Sequence, residues 1–231
     1  MSKKILKTLL GLLAAGLLAA SPAWAFDEGI DYKAVAEPQS TETPGKVEVL
    51  ELFWYGCPHC YHLEAELQRW LARQPDYVAF RRMPAVLGSN WALDAKVFYA
   101  AELLGVLDRI HLPLFEALHR EHLPLGDENS LADWFATQGV KRDEFLKALN
   151  SFVVDMKVRR ATQIGRALGV DGVPTFLING KYLTSPSMTA STEKAFQVID
   201  YLTAREAGVT SKAETDIHGA VTPTVQPAPP R

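Results

Sequence analysis

The sequence predicts an α/β fold in which a βαβ unit and a ββα unit are separated by an all-helical block. Strand patterns occupy residues 46–83 and 175–183, and a helical pattern accompanies each of them. Across residues 91–168 the apolar residues recur at steps of three and four, as in helices. Strands that alternate with helices indicate a sheet covered by helices, and the long helical stretch indicates an insertion into that unit.

The first unit is expected to contain a buried strand, a helix and a second strand. Lys46–Trp54 alternates and then becomes continuously apolar, as does a strand buried within a sheet. A helix is predicted over Pro58–Gln74, and Tyr77–Met83 is predicted to be the second strand. The buried face of the helix is predicted from residues three and four apart: Cys60, Leu63, Leu67, Trp70 and Leu71.

The middle block contains several helix-boundary signals. Gly105 is expected to end one helix, because glycine is favoured just past a helix C-terminus. Pro113 should bend the next helix or begin it. Ser130, with Asp133 three residues later, resembles a capping box at the start of another.

Strand patterns return after the helical block. Thr175–Ile178 is predicted to be a strand, and Asn179-Gly180 is a strong signal for a hairpin turn before Lys181–Leu183. Thr192–Glu206 is predicted to be the final helix. Residues 208–231 are rich in Thr, Ala and Pro without an apolar period, and they are predicted to form a disordered tail.

This element order is that of a thioredoxin-like fold interrupted by an all-helical insertion domain. We assign the thioredoxin-like domain to residues 46–84 and 170–207, and the insertion to residues 85–169. Residues 26–45 are polar, contain two prolines and are expected to be a lead-in with one edge strand near Tyr32–Ala36.

Residues 1–25 have the three parts of a secretory signal peptide. Three lysines supply the positive start, an uncharged apolar run of 12 residues follows, and Ala23-x-Ala25 offers a cleavage site. The alternative is a permanent membrane anchor, but a spanning helix needs about 20 apolar residues. We therefore predict cleavage after Ala25, and the periplasm is the expected destination of a bacterial export signal of this kind.

Composition excludes some classes of protein. Removal of residues 1–25, with three lysines and no acids, changes the formal net charge from −3 to −6. A mildly acidic chain without a Lys/Arg-rich patch is not expected to bind nucleic acid. The only two cysteines are spaced C-x-x-C, whereas a disulfide-stapled domain needs several along the chain. The pair is therefore available for chemistry.

Cys57-Pro58-His59-Cys60 lies where a predicted strand ends and a predicted helix begins. Disulfide exchange requires a thiolate, and an ordinary cysteine is mostly protonated at neutral pH. Free backbone N–H groups and the positive end of the helix dipole favour a negative sulfur at this position. Pro58 suits the first turn because its missing N–H costs nothing there, and His59 adds a donor or a positive charge. The position thus favours redox chemistry.

The predicted helix also assigns a role to each thiol. Cys57 is expected at the exposed helix tip and should be the nucleophile, whereas Cys60 lies on the buried face and should be the resolving partner. A static local disulfide is one alternative. A metal site of Cys57, His59, Cys60 and His62 is another, but zinc sites usually draw a second ligand pair from a distant segment. No metal and no cofactor are predicted.

Two distant residues are candidates for the same site. Pro174 would lie beside the reactive pair in cis if the fold is thioredoxin-like, and the backbone at Val173 would then be free to pair with an extended substrate. Glu51 precedes Cys57 by six residues in an apolar strand. It is either an acid on a solvent-facing edge or an acid buried below Cys60. Burial would raise its pKa and let it exchange a proton with Cys60.

The sequence strongly resembles the DsbA family of periplasmic disulfide oxidases over Val47–Glu206. The matching stretches are Val49-Leu50-Glu51, Cys57-Pro58-His59-Cys60, Pro113-Leu114-Phe115-Glu116, Gly172-Val173-Pro174 and Asn179-Gly180-Lys181-Tyr182. The resemblance implies a disulfide donor to newly exported proteins that is reoxidised by a quinone-coupled membrane partner of the DsbB type. It also implies that Glu51 is the buried acid of the family and Pro174 its cis-proline.

Two features depart from the family pattern. Trp54-Tyr55-Gly56 places bulky aromatics and a glycine directly before the reactive pair, and Arg81 and Arg82 replace a single basic partner for Glu51. The function predicted is that of a monomeric dithiol oxidase for reduced, unfolded exported proteins. The alternatives are a reductase or isomerase of the same fold, and a non-catalytic periplasmic chaperone or metallochaperone.

Overall fold

A computed structural model describes residues 26–209. The predicted signal peptide and residues 210–231 of the predicted tail lie outside the described residues. Within the described part, five strands and eight helices follow the predicted order, and the predicted α/β fold class with a helical insertion is confirmed. None of the helices between residues 26 and 209 has the length and apolar character that a membrane crossing requires.

The strands form one mixed sheet with β2 at its centre. In chain order they are β1 (Lys33–Ala34), β2 (Val47–Phe53), β3 (Val78–Pro84), β4 (Thr175–Ile178) and β5 (Tyr182–Thr184). The spatial order is β1-β5-β4-β2-β3, in which β2 runs parallel to β3 and antiparallel to β4. Every residue of β2 is buried, which explains its nearly continuous apolar sequence. The short β1 is an edge strand, as predicted.

The helices divide into those that follow strands and those of the insertion. They are α1 (Pro58–Leu71), α2 (Trp91–Leu103), α3 (Leu107–His119), α4 (Glu128–Thr137), α5 (Arg142–Leu149), α6 (Phe152–Ala167), α7 (Pro186–Thr189) and α8 (Thr192–Glu206). The insertion between β3 and β4 therefore consists of α2 to α6.

Two hydrophobic clusters lie on opposite faces of the sheet. On one face, α1 and α8 cover Val49 and Phe176, with Trp70 of α1 stacked on Phe196 of α8. On the other face, the helices of the insertion pack against residues such as Leu50. Alternation along residues 47–52 of β2 sends the odd-numbered residues towards α1 and the even-numbered residues towards the insertion, whereas Phe53 at the strand end packs against Phe98 and Phe115 of the insertion. This places Glu51 on the α1 side.

Most of the predicted boundaries agree with the structure, and one capping box was wrong. Asn179 and Gly180 have φ values of 48° and 69°, as a type I′ hairpin turn requires. The capping box of α4 is formed by Asp127 with Ser130, so Ser130 is the third helical residue and not the cap. An acidic side chain three residues upstream accepts the same backbone N–H groups. Pro113 lies inside α3 and does not begin it.

Candidate active site

Cys57 is the N-cap residue of α1. Its backbone is extended (φ −92°, ψ 116°), and Pro58 follows as the first helical residue. Side chains at the N-cap usually accept hydrogen bonds from the backbone N–H groups of the first turn. Cys57 makes no side-chain capping hydrogen bond, but the N–H groups of His59 and Cys60 lie close enough to its sulfur to lower its pKa. A thiolate at this position is therefore stabilised by the helix N-terminus.

These contacts lower the pKa of Cys57. The hydrogen bond from the Cys60 thiol has the largest effect, and the backbone N–H groups of Cys60 and His59 and the charge of His59 act in the same direction. Burial opposes them, yet the pKa of Cys57 falls from its ordinary value of 9.0 to about 6. At neutral pH the thiolate is therefore the main form of Cys57 in the dithiol state that the structure contains.

The exposed position expected for Cys57 is wrong, because only 6% of the residue is accessible. Its Sγ lies 3.6 Å from the carbonyl oxygen of Val173, which comes from the segment before β4. Cys60 is completely buried. Burial, the hydrogen bond to Cys57 and the charge of Glu51 raise the pKa of Cys60 far above its usual range. The two thiols therefore differ strongly in acidity.

Val173 and Pro174 form one wall of a cleft beside the cysteines. The peptide bond between them is cis, as predicted. The cleft has a volume of about 370 Å³, and it is also lined by His59 and His62, both of which are exposed. Pro58 is exposed at the same helix end. Val173 connects this cleft to the reactive cysteine, because its carbonyl oxygen contacts Cys57 Sγ.

Glu51 is fully buried on the α1 side of β2. Its Oε2 accepts a hydrogen bond from Arg82 Nε at 3.1 Å, while Oε1 has no hydrogen-bond partner among residues 26–209. Burial, together with the charge of Glu64, raises the pKa of Glu51 to about 8, although Arg82 opposes the rise. At neutral pH the carboxyl therefore carries a proton in most molecules, and its charge when ionised acts on Cys60.

A buried hydrogen-bond chain begins at Glu51, and no pattern in the sequence predicted it. Arg82 also donates to both carboxylate oxygens of Glu64, at 3.1 and 3.0 Å. Glu64 Oε1 lies 3.2 Å from His111 Nε2, and His111 Nδ1 lies 2.9 Å from the Tyr55 hydroxyl. The available signal was weak: Glu64 and His111 are single polar residues on the buried faces of α1 and α3.

The pKa shifts fix the direction of these bonds. Burial lowers the pKa of His111, so the ring is neutral at pH 7. Burial opposes ionisation of Glu64, but the hydrogen bond from His111 and the charge of Arg82 lower the pKa of Glu64 overall. Neutral His111 therefore donates from Nε2 to the Glu64 carboxylate and accepts from the Tyr55 hydroxyl at Nδ1.

The two adjacent arginines of β3 form ion pairs on opposite faces of the sheet. Arg82 contacts Glu51 and Glu64 on the α1 side, whereas Arg81 binds Glu42 and Glu48 on the side of the insertion. Side chains of a strand alternate between faces, so neighbouring residues cannot share a partner. Glu51 thus has one arginine partner.

The turn before Cys57 is held by residues of the insertion. Trp54 Nε1 donates to Asp94 of α2 at 2.6 Å, and the Trp54 ring stacks on Trp91 at a centroid distance of 4.1 Å. His119 Nε2 of α3 donates to the Tyr55 carbonyl oxygen at 2.7 Å. Trp54-Tyr55-Gly56 departs from the family pattern, but nothing in its sequence indicates these partners.

The described residues do not bring metal ligands together. Between residues 26 and 209, no group of three or more His, Cys, Asp or Glu side chains is arranged to hold a metal ion. Cys57 and Cys60 instead interact with each other.

Comparison with known proteins shows the family of this chain. A family described as a DSBA-like thioredoxin domain matches residues 78–198, which is more than half of the chain. The chain belongs to the DsbA family. Its relative from Burkholderia cepacia, a thiol:disulfide interchange protein DsbA, is 40% identical over 203 residues and covers 87% of this chain and 95% of the relative. A match of that length includes Cys57 and Cys60 wherever it begins.

Solved DsbA structures have the same fold. The crystal structure of Pseudomonas aeruginosa DsbA has a TM-score of 0.75 at 36% identity, covering 81% of this chain and 97% of that one. The oxidoreductase DsbA from Xylella fastidiosa has a TM-score of 0.74 at 34% identity, covering 79% and 98%. This DsbA-family chain is a thiol:disulfide oxidoreductase, and other proteins are its substrates.

Proposed function

We propose that the chain is a dithiol oxidase that donates a Cys57–Cys60 disulfide to reduced proteins. The observation that carries the proposal is the difference in acidity between the two thiols. The pKa of Cys57 is lowered to about 6, whereas the pKa of Cys60 is raised. Contacts that stabilise the reduced form with a Cys57 thiolate make the disulfide a stronger oxidant.

The two thiols have different tasks in the proposed reaction. A substrate thiolate attacks Cys57 Sγ, forms a mixed disulfide and releases Cys60 as a thiolate. The second substrate thiolate then attacks the substrate sulfur that is bonded to Cys57, and Cys57 leaves as a thiolate. The substrate loses two electrons and the pair gains them. Cys57 is a good leaving group because its pKa is low.

Glu51 supplies the proton that Cys60 needs. Released Cys60 is a strong base in a buried site, because its pKa is raised. Glu51 carries a proton in most molecules at neutral pH. When it is ionised, it lies close enough to Cys60 for its charge to raise the pKa of that thiol. It gives its proton to Cys60 during donation and takes it back during reoxidation. His59 and Pro58 support the Cys57 thiolate at the helix N-terminus.

Substrates bind as extended segments along Val173 and Pro174. The carbonyl oxygen of Val173 lies next to Cys57 Sγ, and the cleft there is open to solvent. Backbone pairing of this kind accepts many sequences, because the main chain supplies most of the hydrogen bonds. It therefore suits an enzyme that acts on unfolded chains.

The compartment follows from the predicted signal peptide. An oxidising exported compartment, the bacterial periplasm, is where a disulfide donor has substrates. After each donation the pair must be reoxidised, and we propose a quinone-coupled membrane oxidase of the DsbB type as the partner. The protein acts as a monomer on reduced, newly exported proteins.

The test is oxidation of a reduced, unfolded protein by the wild type and by Cys57→Ser and Cys60→Ser. We expect no turnover with either variant, because neither has a second cysteine with which to form the disulfide that is donated. Equal activity of Cys57→Ser and wild type would overturn the proposal. The reduction potential of the Cys57–Cys60 pair decides whether the protein acts as an oxidase or as a reductase. A potential as low as about −270 mV, that of thioredoxin, would indicate a reductase.

A further inference from the structure

The tripeptide Trp54-Tyr55-Gly56 connects the central strand to Cys57, and the insertion binds it at three points. Asp94 accepts from the Trp54 indole, His111 accepts from the Tyr55 hydroxyl, and His119 donates to the Tyr55 carbonyl oxygen. All three partners lie on α2 and α3. The N–H of Cys57 closes the turn by donating to the Trp54 carbonyl oxygen at 3.0 Å. The insertion therefore contacts the reactive cysteine through this turn.

Asp94 is the only carboxylate among these three partners. It lies in the first turn of α2 and is half-buried. Burial raises the pKa of Asp94 to about 6, although the Trp54 N–H and the backbone of Gly56 oppose the rise. At neutral pH its charge is therefore retained in a partly desolvated site by these two donors. Hydrogen bonds to a charged acceptor are about twice as strong as neutral ones.

The Trp54 ring transmits this contact to the residue before Cys57. A Cβ atom at position 56 would overlap the six-membered ring of Trp54, so the glycine backbone lies directly against the indole. The ring has little freedom to move, because one side is stacked on Trp91 at an interplanar angle of 8° and its nitrogen is bonded to Asp94. Only glycine fits between this ring and the turn.

We propose that Asp94 is a positioning residue for the thiol chemistry, acting through Trp54 to hold the turn that presents Cys57 to its backbone donors. The proposal rests on Cys57 being the reactive thiol. Asp94 holds the turn mainly in the dithiol state. In the disulfide state the S–S bond itself joins Cys57 to Cys60, so the turn needs less support from Asp94. A contact that stabilises one redox state more than the other changes the reduction potential.

Asp94→Ala removes the acceptor and tests the proposal. We expect the pKa of Cys57, measured from the pH dependence of its alkylation, to rise. We expect the equilibrium constant against glutathione to shift about fivefold towards a less oxidising pair, since one charge-assisted hydrogen bond is lost. This corresponds to about 20 mV for a two-electron couple. Asp94→Asn keeps an acceptor for the indole and should restore most of the wild-type value.

The direction of the change separates positioning from a direct charge effect. Removing a nearby negative charge would by itself favour the Cys57 thiolate and lower the pKa. That effect would also be equal in Asp94→Asn and Asp94→Ala. A lower Cys57 pKa in both variants would therefore overturn the proposal.

A double-mutant cycle identifies the route. Trp54→Phe removes the indole N–H but retains a ring that can stack on Trp91. If Asp94 acts through Trp54, the combined variant should shift the potential no further than the larger single change. Additive shifts would overturn this route. Asp133→Ala is the control, because it removes an exposed carboxylate of the insertion that pairs only with the exposed Arg142.

Unfolding measurements exclude a merely structural role. A residue that only stabilises the fold lowers the unfolding midpoints of the disulfide and dithiol forms equally and leaves the potential unchanged. That result for Asp94→Ala would overturn the proposal. If alkylation of the wild-type protein shows an ordinary Cys57 pKa, the proposed role of Cys57 fails first. The two failures are therefore distinguishable.

Discussion

Replacing Glu51 by glutamine removes a proton donor without leaving a charge unpaired. Arg82 keeps its two contacts with Glu64, at 3.1 and 3.0 Å. The glutamine oxygen can still accept from Arg82 Nε. Glutamine has nearly the same shape as a protonated glutamic acid, so the buried site need not rearrange. The substitution therefore isolates the proton transfer proposed between Glu51 and Cys60.

The expected effect is large. A positioned acid or base contributes roughly 10²- to 10⁴-fold to the rate of a step that it assists. The pKa of Glu51 is about 8 and that of Cys60 is far higher, so the transfer from Glu51 to the Cys60 thiolate is favourable. We expect release of Cys60 to slow by roughly 10²-fold in Glu51→Gln, the lower end of this range.

The pH dependence has a definite sign. The protonated form of Glu51 is the active one in donation, so the wild-type rate should fall as the pH rises through about 8, and the variant should lack this fall. Burial raises the folded pKa of Glu51 above its ordinary value of 4.5. The folded state thus keeps a proton that the unfolded state loses, and this stability is lost as the pH rises from 4.5 to 8. Glu51→Gln should remove that loss.

The assay is single-turnover oxidation of a short dithiol peptide, quenched at intervals and resolved into mixed disulfide and product. Glu48→Gln is the matched control, because Glu48 is also buried in β2 but faces the insertion and pairs with Arg81. We expect Glu48→Gln to react at the wild-type rate and Cys57 alkylation to be unchanged in both variants. Unchanged turnover of Glu51→Gln would refute the role of Glu51 in proton transfer.

Three further outcomes are expected. The alkylation rate of Cys57 should titrate with a midpoint near pH 6. Because this pKa is depressed from 9.0, the dithiol form should gain stability relative to Cys57→Ser as the pH rises from 6 to 9; a flat difference in urea unfolding would contradict this. His111→Leu leaves the buried Tyr55 hydroxyl unpaired and removes one donor from Glu64, which keeps Arg82, so it should lower the free energy of unfolding by about 1–3 kcal/mol in the same assay. Arg82→Met should cost about 3–5 kcal/mol, because it leaves the ionised Glu64 buried without its cation, and adding Glu64→Gln should recover part of this cost; a cost below about 1 kcal/mol would show that Glu64 needs no cation.

The sequence was sufficient for features that depend on neighbours along the chain. The C-x-x-C pair at a strand–helix junction, the Asn179-Gly180 turn and the amphipathic face of α1 are all local patterns. Each is specified by residues within a few positions of one another, and periodicity or turn chemistry detects it. The family resemblance then supplied Pro174, which is far from Cys57 in sequence.

Features that depend on distant segments could not be predicted in the same way. Asp94 lies 40 residues from Trp54, and His111 lies 56 residues from Tyr55. Nothing local distinguishes such a residue from an ordinary polar residue on a helix. The low exposure of Cys57 was missed for the same reason, since the group that contacts its sulfur is the carbonyl of Val173, 116 residues away.

The adjacent arginines of β3 also bear on how this strand finds its place beside β2. A slip by one residue that placed Arg81 opposite Glu51 would place Arg82 opposite Leu52, four positions from Glu48, so only one of the two strands' ion pairs could form again. Ion pairing therefore favours the native register. The apolar residues favour it as well, because the same slip would turn Val78 and Met83 to the other side of the sheet. The order of charges along two neighbouring strands and the order of their apolar residues thus specify the same alignment.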